Sequence, residues 1–108
     1  MKRFSVIIDN DAEEDLFEIY SFLALHESEE RAITVTTALK DTCLSLTTLP
    51  LRGHIPPELF AIGVVEFREV HFKPYRVIYS VEKSTVFIHC VLDGRRDMQT
   101  LLHERLLR

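Results

Sequence analysis

The sequence predicts an α+β fold in which an antiparallel sheet carries a helical hairpin on one face. Two stretches with apolar residues at helical spacing occupy the first half of the chain, and three stretches with alternating apolar residues occupy the second half. A short apolar run precedes them and a short amphipathic segment follows, which gives the order β-α-α-β-β-β-α. Because 108 residues is the size of one domain, residues 1–108 are expected to form a single domain.

The first predicted strand covers residues 4–8, which are mostly apolar and partly β-branched. A helix follows, with Asp11 as the expected N-cap and Glu14 placed three residues later as in a capping box. Its apolar face is formed by Ala12, Leu16, Ile19, Tyr20 and Leu23. Its solvated face is expected to carry the acidic residues Glu13, Glu14, Asp15 and Glu18.

The second predicted helix begins near Ser28, where Glu29 and Glu30 would favour the positive end of the helix dipole. Pro50 ends the pattern. The apolar positions recur every three or four residues at Ala32, Val35, Leu39, Cys43, Leu46 and Leu49. Two amphipathic helices joined by a short polar link predict an antiparallel helical hairpin.

A loop rich in glycine and proline is predicted over residues 51–63. The strands of a meander are then predicted over residues 64–72, 75–81 and 85–92. Asp97 fits the N-cap of a final helix that reaches Leu106. This helix is expected to pack at a sheet edge or on the sheet face opposite the helical hairpin.

Composition excludes several classes of protein. No apolar run approaches the length of a membrane span, so a cytoplasmic protein is expected. The two cysteines, Cys43 and Cys90, lack a metal-binding spacing and are interpreted as buried, reduced residues. The five histidines show no zinc-site spacing, although His71 and His89 lie on predicted strands that allow them to approach in space. No metal site and no cofactor are therefore expected.

The net charge of −4 conceals an asymmetry along the chain. Residues 1–51 carry four basic and ten acidic side chains, whereas residues 52–108 carry nine basic and seven acidic side chains. A uniformly basic nucleic-acid-binding surface is excluded by this balance, but a local positive patch in the second half is not.

Four arginines are candidates for such a patch. Alternation along the strand places Arg76 with Ile78 on the face away from the helical hairpin, while Val77 and Tyr79 face the core. On that face Arg76 is expected to be exposed and Ile78 partly uncovered. Arg68 joins Arg76 if the strand register permits, and Arg95 or Arg96 would complete the patch at the strand end. Guanidinium groups there would hold either a phosphate or the acidic side chains of a protein partner. Alternatively, the arginines pair with Glu66, Glu69, Asp93 and Asp97 and only make the sheet soluble.

Several short motifs resemble the RelE/ParE toxins of type II toxin–antitoxin systems. They are Phe67-Arg68-Glu69-Val70, Pro74-Tyr75-Arg76-Val77-Ile78-Tyr79, and Val91-Leu92-Asp93-Gly94-Arg95-Arg96-Asp97. Ala12-Glu13-Glu14-Asp15-Leu16 and Leu49-Pro50 also resemble the first helix and the helix-ending loop of that family. The resemblance extends from about Asp11 to Arg105, and the order of the motifs agrees with the predicted order of elements.

The resemblance implies a growth-inhibiting toxin that a cognate antitoxin neutralises in a hetero-oligomeric complex. The family has two activities on one fold. RelE-like members cut messenger RNA on the ribosome, whereas ParE-like members, which serve in plasmid stabilisation, poison DNA gyrase. For a nuclease, the resemblance points to Arg68, Arg76, Arg96 and His103 as catalytic residues. For either activity, Arg68, Arg76, Ile78, Arg95 and Arg96 are the expected target- or antitoxin-binding residues.

Departures from the RelE pattern favour the ParE-like activity. The strand that supplies lysines in RelE-like toxins holds Glu66 and Glu69 here, and both carboxylates would repel a phosphate. At the position where those toxins often have a tyrosine, this chain has Leu102, which cannot transfer a proton. Its neighbour His103 is rotated by about 100 degrees around the helix and is expected to point away from that site.

Overall fold

The computed structural model describes residues 2–107 and confirms the predicted order of elements, with one additional short helix. The elements are β1 (Ser5–Ile8), α1 (Asn10–His26), α2 (Glu29–Leu44), α3 (Pro57–Phe60), β2 (Arg68–Phe72), β3 (Tyr75–Glu82), β4 (Thr85–Asp93) and α4 (Met98–Leu106). A 3₁₀ turn over Ser45–Thr47 extends α2. The additional helix α3 lies inside the predicted loop.

The helical hairpin forms as predicted, but α1 begins earlier than expected. Asp9, not Asp11, is the N-cap, because its carboxylate accepts a hydrogen bond from the Ala12 amide at 3.0 Å. Ser28 caps α2 by accepting a hydrogen bond from the Arg31 amide. The predicted apolar face of α2 is buried except for Leu49, which lies beyond the 3₁₀ turn and is exposed.

The four strands form a mixed sheet in the order β1-β4-β3-β2. Strands β2, β3 and β4 form the predicted antiparallel meander. The expectation of a wholly antiparallel sheet is wrong for β1, which pairs with β4 in parallel. The helical hairpin separates β1 from the meander along the chain, and such a long crossover allows a parallel pairing that a tight turn does not.

Each face of the sheet covers its own apolar core. The hairpin face packs against α1 and α2 through residues that include Leu16, Leu39, Val77 and Tyr79. On the opposite face, α3 and α4 cover a smaller cluster formed by Leu59, Ile78, Cys90, Leu92, Met98 and Leu102. The final helix therefore packs on the opposite face rather than at a sheet edge.

A buried carboxylate on α1 closes an open edge of β4. Strand β1 ends at Ile8, which pairs with Ile88, so β4 continues beyond its parallel neighbour. There Asp15 accepts a hydrogen bond from the Val91 amide at 3.0 Å, which satisfies a buried backbone donor. Arg105 of α4 binds both carboxylate oxygens of Asp15 at 3.0 and 2.9 Å. The prediction that Asp15 belongs to the solvated face of α1 is thus wrong. Asp15 instead joins α1 to β4 and α4.

Both cysteines are buried and reduced, as predicted. Burial raises the pKa of the Cys90 thiol to about 12, so this side chain is no nucleophile at neutral pH. Among residues 2–107, no helix has the length and apolar character needed to cross a membrane.

We predict that Asp15→Ala lowers the free energy of unfolding by about 3 kcal/mol, because the substitution leaves a partly buried guanidinium without its partner. Glu14→Ala, an exposed change on the same helix, is the matched control and should cost about 0.5 kcal/mol or less. Urea denaturation of both variants measures the difference. Equal stability of the two variants would contradict a structural role for Asp15.

Candidate functional site

The centre of the candidate site is a network of two carboxylates around Arg76. On β2, Glu69 is only 1% exposed, and its Oε1 atom lies 2.6 Å from Arg76 Nε. The two terminal nitrogens of Arg76 bind both oxygens of Glu58 on α3, at 2.9 and 2.7 Å. Arg76 therefore uses all three of its nitrogens on protein carboxylates, and these charged hydrogen bonds raise its pKa.

Arg76 lies on the predicted face of the sheet, but the expectation that it is exposed there is wrong. Its side chain is 12% exposed, because Glu58 and Glu69 enclose it and Gly94 packs against its aliphatic stem. A Cβ atom at Gly94 would come within 2.7 Å of Arg76 Cδ. The glycine that precedes Arg95 therefore leaves room for the Arg76 side chain.

The second oxygen of Glu69 contacts two histidines. Glu69 Oε2 lies 2.7 Å from His54 Nε2 and 3.4 Å from His71 Nε2. The two imidazole rings meet edge to face, with centroids 5.3 Å apart. Both rings remain open to solvent, since the side chains of His54 and His71 are 61% and 40% exposed. Within residues 2–107, His54, Glu69 and His71 form the one group whose donor atoms are close enough to hold a metal ion.

The sheet face that carries Arg76 is covered rather than open. Ile78, expected to be partly uncovered, is fully buried under α3 and α4. Leu102 of α4 is also fully buried in this cluster, whereas His103 is exposed, as the helical rotation predicted. His103 lies in a shallow groove with Glu58, Gln99 and Leu107, beside the Arg76 network rather than within it.

Arg68 does not join Arg76. It pairs in register with Tyr79, so the two residues share the hairpin face, whereas Glu69 and His71 share the face of Arg76. The guanidinium of Arg68 donates instead to the carbonyl of Gly53 at 2.7 Å. The strand register therefore does not permit Arg68 to join Arg76 in one patch.

Arg95 and Arg96 lie in a different groove, of about 550 Å³, between the helical hairpin and the end of the sheet. Phe22 of α1 and Tyr75 of β3 supply part of its apolar lining. Arg95 binds Asp93 at 2.6 Å yet is 75% exposed, and Arg96 is exposed. These two arginines remain accessible to a partner, whereas Arg76 does not.

A second polar cluster joins Ser80, His89 and Asp9. Ser80 Oγ lies 2.7 Å from His89 Nε2, and His89 Nδ1 lies 3.4 Å from Asp9 Oδ2. The order of groups is that of a catalytic triad, but the geometry is not. Ser80 is nearly buried in the middle of a strand, and the distance from His89 to Asp9 exceeds an ordinary hydrogen bond. We assign this cluster a structural role, and His89 does not join the pair formed by His54 and His71.

No sequence pattern predicted the contact of His54 with Glu69. Two backbone hydrogen bonds join His54 to Glu69, so the loop forms an isolated antiparallel β-bridge with the edge strand β2. The available signal was Gly53, since an added Cβ there would lie 2.4 Å from the Glu69 carbonyl oxygen. A glycine beside a polar loop residue marks such a close backbone approach.

We predict that Arg76→Ala lowers the free energy of unfolding by about 3 to 5 kcal/mol, because Glu69 would remain buried without a cation. Arg96→Ala is the matched control at an exposed arginine and should change stability by about 0.5 kcal/mol or less. Thermal and urea denaturation measure both variants. A stable Arg76→Ala protein would show that Glu69 does not depend on its partner.

Glu58 should make the protein sensitive to acid. Hydrogen bonds from Arg76 hold the pKa of Glu58 below its ordinary value of about 4.5. The stability that this group contributes is complete above the unfolded pKa and is lost as the pH falls through the lower, folded pKa. Glu58→Gln should therefore show a shallower loss of stability with falling pH below about 4.5. Gln99→Ala, a neutral change in the same groove, should keep the wild-type slope, and two identical slopes would exclude Glu58 as a contributor.

Comparison with known proteins assigns the family. Residues 6–98 match the family profile described as ParE toxin of type II toxin–antitoxin system. No curated protein sequence matches significantly. A chain of the chromosomal ParDE system from P. aeruginosa is 18% identical and has a TM-score of 0.70, with coverage of 82% of this chain and 94% of the other. A chain of the RelBE2 toxin–antitoxin complex from Mycobacterium tuberculosis is 18% identical and has a TM-score of 0.64, with coverage of 86% and 93%.

At 18% identity these two similarities show the fold alone. One of the two structures comes from a ParDE system and the other from a RelBE complex. The match of the family profile extends over most of the sequence, including the strand of Arg76 and the segment of Arg95 and Arg96. The chain therefore belongs to the ParE toxin family of type II toxin–antitoxin systems.

Proposed function

We propose that this toxin inhibits DNA gyrase and does not cleave RNA. The observation that carries the proposal is the Arg76 network, in which the only arginine on the covered sheet face among residues 2–107 is bound to Glu58 and Glu69. A ribosome-dependent nuclease needs cationic groups that are free to stabilise a scissile phosphate. Here the same groups stabilise a buried carboxylate instead.

The shape of this face supports the same conclusion. A catalytic centre needs a concave space beside its reactive groups, into which the substrate enters. Leu102 and Ile78 fill that space with apolar contacts under α4. His103, proposed as the acid or base of a nuclease, is directed into a groove that it shares with the carboxylates Glu58 and Glu104. Two carboxylates would repel the phosphate backbone of an RNA strand.

Membership of the ParE family gives the proposal its positive content. The ParE family profile matches residues 6–98 of this chain. The resemblance stated for ParE-like toxins implies gyrase as the target. A gyrase poison needs a protein-binding surface rather than catalytic groups. A protein that acts on gyrase works in the cytoplasm, which is the location we propose.

We further propose that Arg95 and Arg96 contact the cognate antitoxin. The groove that they line has apolar walls from Phe22 and Tyr75, and Phe22 is 60% exposed in the isolated chain. An apolar groove with exposed arginines suits a segment that presents apolar and acidic side chains in turn. Ile78 is buried, the Arg76 side chain is only 12% exposed, and the half-buried Arg68 donates to the carbonyl of Gly53, so we propose no direct binding role for these three residues.

Assays with the purified toxin distinguish gyrase inhibition from cleavage of messenger RNA. We expect the wild-type protein to inhibit supercoiling by gyrase and to leave messenger RNA intact on translating ribosomes. A variant without the exposed arginines, Arg95→Ala/Arg96→Ala, should still inhibit gyrase but should need more antitoxin for neutralisation. Lys40→Ala, an exposed change on α2 outside this groove, is the matched control and should behave as wild type.

Cleavage of ribosome-bound messenger RNA without inhibition of gyrase would reverse the assignment. In that case His103→Ala, His54→Ala and His71→Ala identify which histidine transfers the proton. Unchanged neutralisation of the double arginine variant would remove the groove from the antitoxin interface while leaving the gyrase assignment intact.

A further inference from the structure

Two histidines and a carboxylate are held together by the backbone of a loop and an edge strand. Glu69 and His71 are separated by one residue on β2, so their side chains share a face of the sheet. His54 joins them because its amide donates to the Glu69 carbonyl at 3.2 Å and its carbonyl accepts from the Glu69 amide at 2.7 Å. Gly53 allows this approach, since a side chain there would collide with the same strand.

The donor atoms of these residues have the spacing of metal ligands. His54, Glu69 and His71 each offer one donor atom, and these three atoms all lie within 4.8 Å of one another. Around a tetrahedral zinc ion with bonds of about 2.0–2.1 Å, neighbouring ligand atoms lie about 3.3 Å apart. The distances from Glu69 Oε2 to the two histidine nitrogens are 2.7 and 3.4 Å, so only a small adjustment of exposed rings is needed.

The carboxylate is already oriented for this purpose. Arg76 binds Oε1 of Glu69 and leaves Oε2 directed at the histidines. Supporting hydrogen bonds of this kind fix a ligand and raise the affinity of metal sites. The two carboxylates of Glu58 and Glu69 and the single guanidinium of Arg76 sum to a net charge of −1. This negative charge attracts a divalent cation.

Solvent reaches the group from the side of the two histidines. Their exposed rings allow an ion to enter, and three protein ligands leave a fourth position for water or for a ligand from another molecule. Two imidazoles with one carboxylate are the donor set that zinc and its neighbours among the divalent transition metals accept. We propose that His54, Glu69 and His71 bind one such ion, with zinc as the expected occupant.

Such an ion would add a metal link between two parts of the chain that two backbone hydrogen bonds and the contact of His54 with Glu69 already join. His54 belongs to the loop before α3, whereas Glu69 and His71 belong to the edge strand β2. Because an ion bound only by the folded chain stabilises that state, zinc should raise the thermal stability of the protein. The proposal is independent of the target of the toxin.

Calorimetric titration of the tag-free, chelator-treated full chain with zinc chloride tests the site, and Tm is measured at each zinc concentration. We expect one ion per chain and a Tm that rises with zinc. Because His54 and His71 are exposed, His54→Ala and His71→Ala should stay folded, and circular dichroism checks this. Each should weaken binding by at least about 10-fold, the effect expected even for a group that only supports a ligand.

His26→Ala and His103→Ala are the matched controls, because both histidines are exposed on helices outside the group. Both should bind zinc as the wild type does. Absence of binding at millimolar zinc would overturn the proposal. So would binding that persists in His54→Ala/His71→Ala, or that is lost in only one of the two single variants. A cobalt-loaded wild type with the visible spectrum of a four-coordinate ion would support the geometry, whereas an octahedral spectrum would contradict it.

Discussion

Burial of the Glu69 carboxylate is the constraint that organises the second half of this protein. An ionised carboxylate removed from water needs a cation and further hydrogen-bond donors close by. Arg76 on the neighbouring strand supplies the charge and His54 a further contact, which requires the loop to return to the edge of the sheet. Arg76 in turn needs a second carboxylate, so Glu58 fixes the position of α3. The buried charge thus couples the strands, the loop and the short helix.

Under the proposed function, this coupling explains how one fold can carry unrelated activities. The position of Arg76 in the sheet is the one at which the resemblance to RelE-like toxins implies a catalytic arginine. Here the neighbouring carboxylates convert it into a structural group, while Leu102 and Ile78 close the surface above it. A few side chains on one face therefore change what the site offers to a phosphate, and the architecture need not change.

Patterns within single elements predicted most of this structure. The hairpin and the meander follow from apolar periodicity, because each pattern reports burial along one helix or strand. Contacts between distant segments were not predictable in this way. Asp15 looked like one acidic residue among several on α1, and its burial depends on where β1 stops along β4. Arg76 was assigned to the correct face, but its burial depends on Glu58 from a loop that has no periodicity.

The parallel pairing of β1 with β4 has a consequence for the timing of folding. The ribosome releases the chain from its N-terminus, so β1 emerges long before Thr85–Asp93, the partner strand, has been made. Strand pairings between residues far apart in sequence also form slowly, since a long loop must close first. The sheet therefore cannot be completed until nearly the whole chain has left the ribosome.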